Sequence, residues 1–148
     1  MINVRLLNTQ DIEQVRKLDS ESEFRLVDFI EDNIDYAWGI FNNNILAGYC
    51  SIGSVDGCDD PIFESHKLYS IDAFVLSDVY ISEDYRSRGY GHMLLKEAIS
   101  QKRKISGNYP IYLELLFLET KAFYLKLGFE NIDDFAMVLE VNSPKTFS

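Results

Sequence analysis

Apolar positions along the chain recur with two spacings, and each change of spacing marks a new element. The opening "INVRLL" reads as a short strand that stops at Asn8 and Thr9, either of which can cap a helix with Asp11 in its first turn. Ile12, Val15 and Leu18 then fall on one helical stripe. A second helix is expected over "SEFRLVDFIED", with Phe24, Val27 and Ile30 inward, and both helices are expected to carry acidic outer faces. "YAWGIFNNNILAGYCSIG" predicts a β-hairpin, two apolar-aromatic runs joined at Asn42, Asn43 and Asn44, residues that tolerate the left-handed backbone of a tight turn. "SVDGCDDPIFESHKLYS" breaks the pattern at Gly57 and Pro61 and is expected to be irregular.

Further on, "IDAFVLSDVYI" predicts a long strand, and "GHMLLKEAISQKRKI" a helix with Leu94, Leu95, Ala98, Ile99 and Lys102 on one side. "YPIYLELLFL" is apolar at successive positions, as in a strand covered on both faces. "ETKAFYLKL" predicts a short helix closed by Gly128, and "DFAMVLEV" a last strand. The order βα(α)ββ followed by βαβαβ predicts an α/β fold, a mixed sheet with helices on both faces. A length of 148 residues suits a single domain over 1–148.

Composition narrows the class. With 47% hydrophobic and 26% charged residues the chain is an ordinary globular protein. The N-terminus lacks the unbroken apolar core of a secretory leader and no run is long enough to span a bilayer, so a cytoplasmic location without a membrane partner is expected. Cys50 and Cys58 lack CxxC spacing, and His66 and His92 stand far apart with no ligand at helical spacing. No metal centre is expected.

The net charge of −10 argues against a nucleic-acid partner. Yet Arg86, Arg88, Lys96, Lys102, Arg103 and Lys104 cluster against Glu97 alone. A short positive region in a negative chain suggests a small polyanion there. The string "YRSRGYGHM" lies where a strand ends and a helix begins, so free amides, a helix dipole and Gly89 and Gly91 together suit phosphate. It is neither of two common nucleotide loops: GxxxxGK[ST] is absent, and Leu94 stands where GxGxxG needs its third glycine.

About thirty residues later comes "FYLKLGF", Phe123 to Phe129. Together with RxxGxG at Arg86, Gly89 and Gly91, it resembles the GNAT superfamily of N-acetyltransferases, which use acetyl-coenzyme A. The element order of the whole chain fits, and specific motifs run from about residue 71 to 129. The resemblance implies that the strand entering the turn splays from its neighbour, with the backbone of Val79, Tyr80 and Ile81 bonding the pantetheine arm. The amides of Arg86, Ser87, Arg88, Gly89, Tyr90 and Gly91, with His92 next, would cradle the pyrophosphate. Lys102, Arg103 and Lys104 lie roughly three turns on, either as further partners or as a solvated helix end.

Tyr124 is similar to the family's general acid, which protonates the departing thiolate. Asp78 resembles the aspartate of a Glu-Asp pair in some diamine and polyamine acetylating members, although Ser77 stands at the glutamate position; base, cation attractor, water-orienting group and structural carboxylate all stay open for it. Glu114 and Glu119 are weaker candidates, and Phe117 replaces an asparagine that often touches the cofactor. The acceptor would approach near Asp19, Glu21, Glu23, Asp28, Glu31, Asp32 and Asp35, with Tyr36, Trp38 and Phe41 either lining its pocket or packing in the core. The implied activity is direct acetyl transfer, in a ternary complex, to a primary amine of a small cationic molecule or an exposed peptide. The alternative is a catalytically weak acyl-coenzyme A sensor of the same fold. Homodimer formation stays open.

Overall fold

The N-terminal strand sets the position of the first helix through one carboxylate. The side chain of Asn8 accepts the Gln10 N–H at 2.9 Å, while Asp11 accepts the Asn8 N–H at 2.8 Å, a reciprocal capping box. The same carboxylate receives both terminal nitrogens of Arg5 at 2.9 Å, tying the cap to β1 (Ile2–Leu6). A single 3-10 turn, Thr9–Asp11, then runs into α1 (Ile12–Asp19).

The computed structural model describes residues 1–21, 34–54, 73–115 and 118–141. The expected second helix, the irregular 55–72 stretch with Cys58 and His66, and Phe117 lie outside them. The chain clusters into two compact units, Met1–Ile52 with Ser77–Lys102, and Gly53–Leu76 with Arg103–Ser148.

In the first unit β1 pairs antiparallel with β2 (Ala37–Asn42), which forms a hairpin with β3 (Ile45–Ser54). The turn is where the asparagines put it: Asn43 and Asn44 have φ of +49° and +70°. Trp38 is directly opposite Cys50 and Gly39 opposite Tyr49, so these pairs occupy alternate faces. On one face Val15 and Leu18 of α1 pack with Leu7, Ala37, Phe41, Leu46 and Tyr49. On the other, the Trp38 indole donates to Gln101 Oε1 at 2.9 Å, and Gln101 donates to the Val4 carbonyl at 3.0 Å. Gln101 belongs to α2 (Tyr90–Ser106), so this unit's strands are covered on both faces. Gly48 lets β3 and β4 (Phe74–Ile81) come close, since a Cβ there would stand 2.7 Å from the Tyr80 carbonyl oxygen.

The outer face of α1 differs from the expectation. It exposes Glu13, Arg16 and Lys17, while the acidic residues at its two ends, Asp11 and Asp19, are buried. Of the acidic outer face expected for this helix, Glu13 is the exposed member. Asp11 turns inward because Arg5 and the cap amides compensate its charge.

In the second unit β4 pairs parallel with β5 (Ile111–Glu114) at Phe74–Ile111 and Val75–Tyr112 only. β5 pairs antiparallel with β7 (Ala136–Leu139), which pairs with β6 (Glu130–Asp133). Ala73, Tyr112, Ala136 and Val138 form the core here. Strand β6 was not expected: "ENID" is an edge strand with only Ile132 turned toward the core, so it carries no alternating apolar signal. The hydrogen-bonded strand order is β1-β2-β3-β4-β5-β7-β6, a mixed seven-stranded sheet.

Candidate active site

Strand β4 carries two features that a regular strand lacks. Its registered pairing with β5 covers two positions, whereas the strand continues to Ile81. Asp78 has φ of +56°, left-handed backbone that is rare outside glycine and costs about 1–3 kcal/mol. In a regular strand Ser77 and Asp78 would point to opposite faces. Here both meet Ser51 of β3: its hydroxyl lies 2.8 Å from the Ser77 hydroxyl and 3.5 Å from Asp78 Oδ2. Asp78 is half-buried, and this desolvation holds its carboxyl above the usual carboxylate range, while Ser77 and Ser51 partly oppose the shift.

Below Asp78 the side chains form a polar wall. Tyr49 packs its ring 5.9 Å from that of Tyr80, and the Tyr80 hydroxyl donates to Glu21 Oε2 at 3.4 Å. Ser82 donates to the same oxygen at 3.0 Å. The Tyr49 hydroxyl is buried without a hydrogen-bond partner among the described residues. Burial first, then the charges of Asp19 and Asp78, push its pKa far above the ordinary tyrosine value. A contact between the phenol and the Asp19 carboxylate adds to the retention of the phenolic proton. Sequence reasoning named Asp19, Glu21 and Asp78 and missed Tyr49 and Ser51. Their signal is the alternation in "GYCSIG", which sends Tyr49 and Ser51 to one face and Cys50 to the other. Cys50 is fully buried in apolar surroundings, its thiol pushed far up, which makes it an inert packing residue.

The turn after β4 is fastened at several points. Ser82 N–H donates to the Ala47 carbonyl at 2.8 Å, and Arg86 Nε to the Ile81 carbonyl at 2.9 Å. Arg86 lies over the Tyr80 ring at 5.4 Å and Arg88 over Tyr85 at 5.8 Å. Tyr90 is buried and accepts a bond from Asn42 Nδ2 at 2.9 Å, so its side chain anchors α2 to the hairpin end. Ser87 and Gly89 adopt φ of +64° and +81°. Left-handed backbone at two positions one residue apart turns nearby N–H groups toward a concavity of the kind that binds anions. The residues from Arg86 to Gly89 and His92 are exposed, and a Cβ built on Gly89 meets nothing within 4 Å. This cradle suits a pyrophosphate: it is open, lies at the start of a 17-residue helix and presents amides no helical carbonyl satisfies.

The basic cluster beyond it divides. Lys102 is buried over the Tyr36 ring at 5.1 Å, and desolvation lowers its pKa. Arg103 donates to the Tyr109 and Leu139 carbonyls at 3.2 Å each. Both are structural, and Lys104 alone of the three is solvent-exposed. Trp38 and Phe41 are core residues, while Tyr36 is exposed beside Lys102.

Tyr124 belongs to the second unit, on α3 (Lys121–Lys126). Its ring stacks edge-on against Phe123 at 5.1 Å and Phe129 at 5.7 Å, and its carbonyl accepts the Leu127 and Phe129 N–H groups at 3.1 Å each. Gly128, at φ of +100°, allows that reversal. Among the described residues no group of His, Cys, Asp or Glu is arranged to hold a metal, and no helix is long and apolar enough to cross a membrane.

The acetyltransferase (GNAT) domain profile matches residues 33–131. Among proteins of curated function, none matches the sequence. Solved structures do match. The ribosomal-protein-S18-alanine N-acetyltransferase from Escherichia coli aligns with a TM-score of 0.73 at 16% identity, covering 97% of this chain and 96% of that one. The YlbP N-acetyltransferase of Bacillus subtilis, in complex with coenzyme A, aligns at 0.60 and 22% identity, covering 95% and 97%. N-acetylglutamate synthase from Neisseria gonorrhoeae, complexed with coenzyme A and N-acetyl-glutamate, aligns at 0.72 and 14% identity; this chain is covered to 97% but spans only 36% of that protein. At these identities the likeness establishes the fold, and the domain profile, matching well over half the residues, establishes the family: the chain belongs to the GNAT acetyltransferases, whose acyl donor is acetyl-coenzyme A.

Proposed function

We propose that this protein transfers the acetyl group of acetyl-coenzyme A to a primary amine of a small cationic molecule or an exposed peptide, by direct attack in a ternary complex. The observation that carries the reading is the open cradle at Ser87–Gly89, at the foot of a strand whose registered pairing with β5, among the described residues, is confined to Phe74 and Val75. In this reading the amides of Ser87 to Gly91 and the exposed His92 hold the pyrophosphate, the Arg86 N–H being engaged by the Glu83 carbonyl at 3.4 Å, and the backbone of Val79, Tyr80 and Ile81 aligns the pantetheine as an added strand.

Bound acetyl-coenzyme A supplies a thioester whose carbonyl carbon the amine nitrogen attacks, the C–N bond forming as the C–S bond breaks. The chain's residues manage two protons. Asp78, partly desolvated and with a raised pKa, takes one from the acceptor ammonium, directly or through water. Tyr124 gives its phenolic proton to the departing sulfur and recovers one from solvent, to which the new amide nitrogen loses its second proton and Asp78 later returns the first. Reactants and products therefore balance as acetyl-coenzyme A plus ammonium to amide, free thiol and one proton.

Thiol release with a panel of polyamines, amino acids, aminoglycosides and peptides tests the reading, with turnover expected on at least one cationic amine. A second reading, an acyl-coenzyme A sensor, is favoured by Ser77 at the position where a second carboxylate is expected, its hydroxyl engaged by Ser51. Tight coenzyme A binding without turnover on any amine would select it.

A further inference from the structure

The left-handed backbone at Asp78 is strained, and such strain persists only where the surroundings hold it. Ser51 supplies one hold. It is buried on β3, opposite Ala37 of β2, and among the described residues every oxygen its hydroxyl meets belongs to β4: Ser77 Oγ at 2.8 Å, the Ser77 carbonyl at 3.3 Å and Asp78 Oδ2 at 3.5 Å. A hydroxyl has one proton and two lone pairs, so the charge of Asp78 decides where that proton goes. The ionised carboxylate is the strongest acceptor of the three, and a hydrogen bond to it is charge-assisted. Once Asp78 has taken the acceptor's proton, its new O–H needs an acceptor instead. The Ser51 oxygen can accept that bond while its own O–H turns to the Ser77 carbonyl.

We propose that Ser51 is a positioning residue for the acetyl transfer: its hydroxyl turns between Asp78 and the Ser77 carbonyl, and so holds the carboxyl in place both before and after the proton arrives. The inference rests on the reading of Asp78 as the proton acceptor and deepens it. The proton count of the reaction is unchanged, because the hydroxyl reorients and keeps its own hydrogen. Tyr49 and Cys50, also on β3, are the titratable groups in the field of Asp78, and burial keeps both neutral by pushing each pKa far up. Beside desolvation, Ser77 and Ser51 are therefore the groups among the described residues that set the carboxyl's hold on a proton.

The test follows the Asp78 carboxyl carbon by NMR through a pH titration of the full chain as wild type, Ser51→Ala and Ser51→Thr, with Asp78→Asn identifying the signal. Ser51→Ala removes a donor to the charged form, so its midpoint should lie above that of wild type; Ser51→Thr keeps the hydroxyl and should titrate closer to wild type than to Ser51→Ala. If Ser51→Thr does not fold around its extra methyl, the Ser51→Ala midpoint decides alone. In thiol release on an amine that turns over, the acid limb of kcat should move up with the midpoint. On that limb Ser51→Ala should lose about threefold to tenfold, the size of one hydrogen bond, and the loss should vanish in the Asp78→Asn background. A Ser51→Ala midpoint equal to or below that of wild type overturns the inference, as does an acid limb that stays in place while the midpoint rises. A raised midpoint with no turnover on any amine strikes the acetyl-transfer reading and leaves the hold on Asp78 standing; turnover with an unmoved midpoint does the reverse.

Discussion

Replacing Gly89 separates backbone cost from electrostatic cost at the cradle. Its φ of +81° strains any other residue, yet a Cβ there meets no atom within 4 Å. Gly89→Ala should therefore lose about 1–2 kcal/mol of stability through backbone strain alone, a drop of roughly 2–6 °C in thermal midpoint. Gly89→Glu carries the same strain plus a carboxylate facing the bound phosphates. At roughly 6 Å and an effective dielectric between those of water and a protein surface, each phosphate charge is opposed by about 1–3 kcal/mol. Coenzyme A affinity should fall by roughly tenfold to several hundredfold relative to Gly89→Ala, and the gap should narrow in high salt. Calorimetry with coenzyme A at two salt concentrations, beside thermal melts of all three proteins, measures both terms. If Gly89→Glu binds coenzyme A as tightly as Gly89→Ala, the phosphates lie elsewhere and the cradle assignment fails.

Three further outcomes follow from the same geometry. Tyr124→Phe should cut turnover at least about tenfold with coenzyme A affinity nearly intact, and unchanged steady-state turnover would remove the phenol from the reaction. Asp78→Asn should lower kcat by about 10²-fold or more and abolish the acid limb of the pH profile, which in the wild type lies above the ordinary carboxylate range because the pKa is raised. The sign for stability is opposite: a carboxyl with a raised folded pKa destabilises the fold once pH exceeds its unfolded value. Asp78→Asn should thus unfold at higher urea than wild type at neutral pH and lose that advantage in acid; a lower midpoint at neutral pH refutes it. Asp11 behaves conversely, since the Arg5 hydrogen bonds depress its pKa. Asp11→Asn should cost about 1–2 kcal/mol at neutral pH, modest because Arg5 is 40% exposed, and the difference in urea midpoint should fade as pH falls through the depressed pKa.

Local chemistry written in short strings was legible in the sequence. Asn8 with Asp11 announced a capped helix, Asn43 with Asn44 a hairpin, and Gly128 a helix end, because each residue type is selected by a backbone state a few positions wide. The left-handed backbone at Gly89 was legible for the same reason. What periodicity could not convey is compensation across the chain. An acidic outer face was expected of the first helix, but Asp11 turns inward to Arg5. Arg103 was weighed as an anion ligand before its carbonyl partners, 36 residues away in the case of Leu139, could be known. Strand β6 escaped because an edge strand is held by backbone pairing and leaves little apolar trace.

The capping box has a reach beyond the helix it begins. With eight residues, α1 is a rod of about 12 Å, anchored at one end by Asn8, Asp11 and Arg5 and ending in Asp19. A pivot of about five degrees at the anchor would swing the far carboxylate by about 1 Å, a displacement that can change a reaction rate by about 10²-fold. Under the acetyl-transfer proposal, substitutions among the first eleven residues should therefore shift amine selectivity, which thiol release by such variants on a panel of amines would measure.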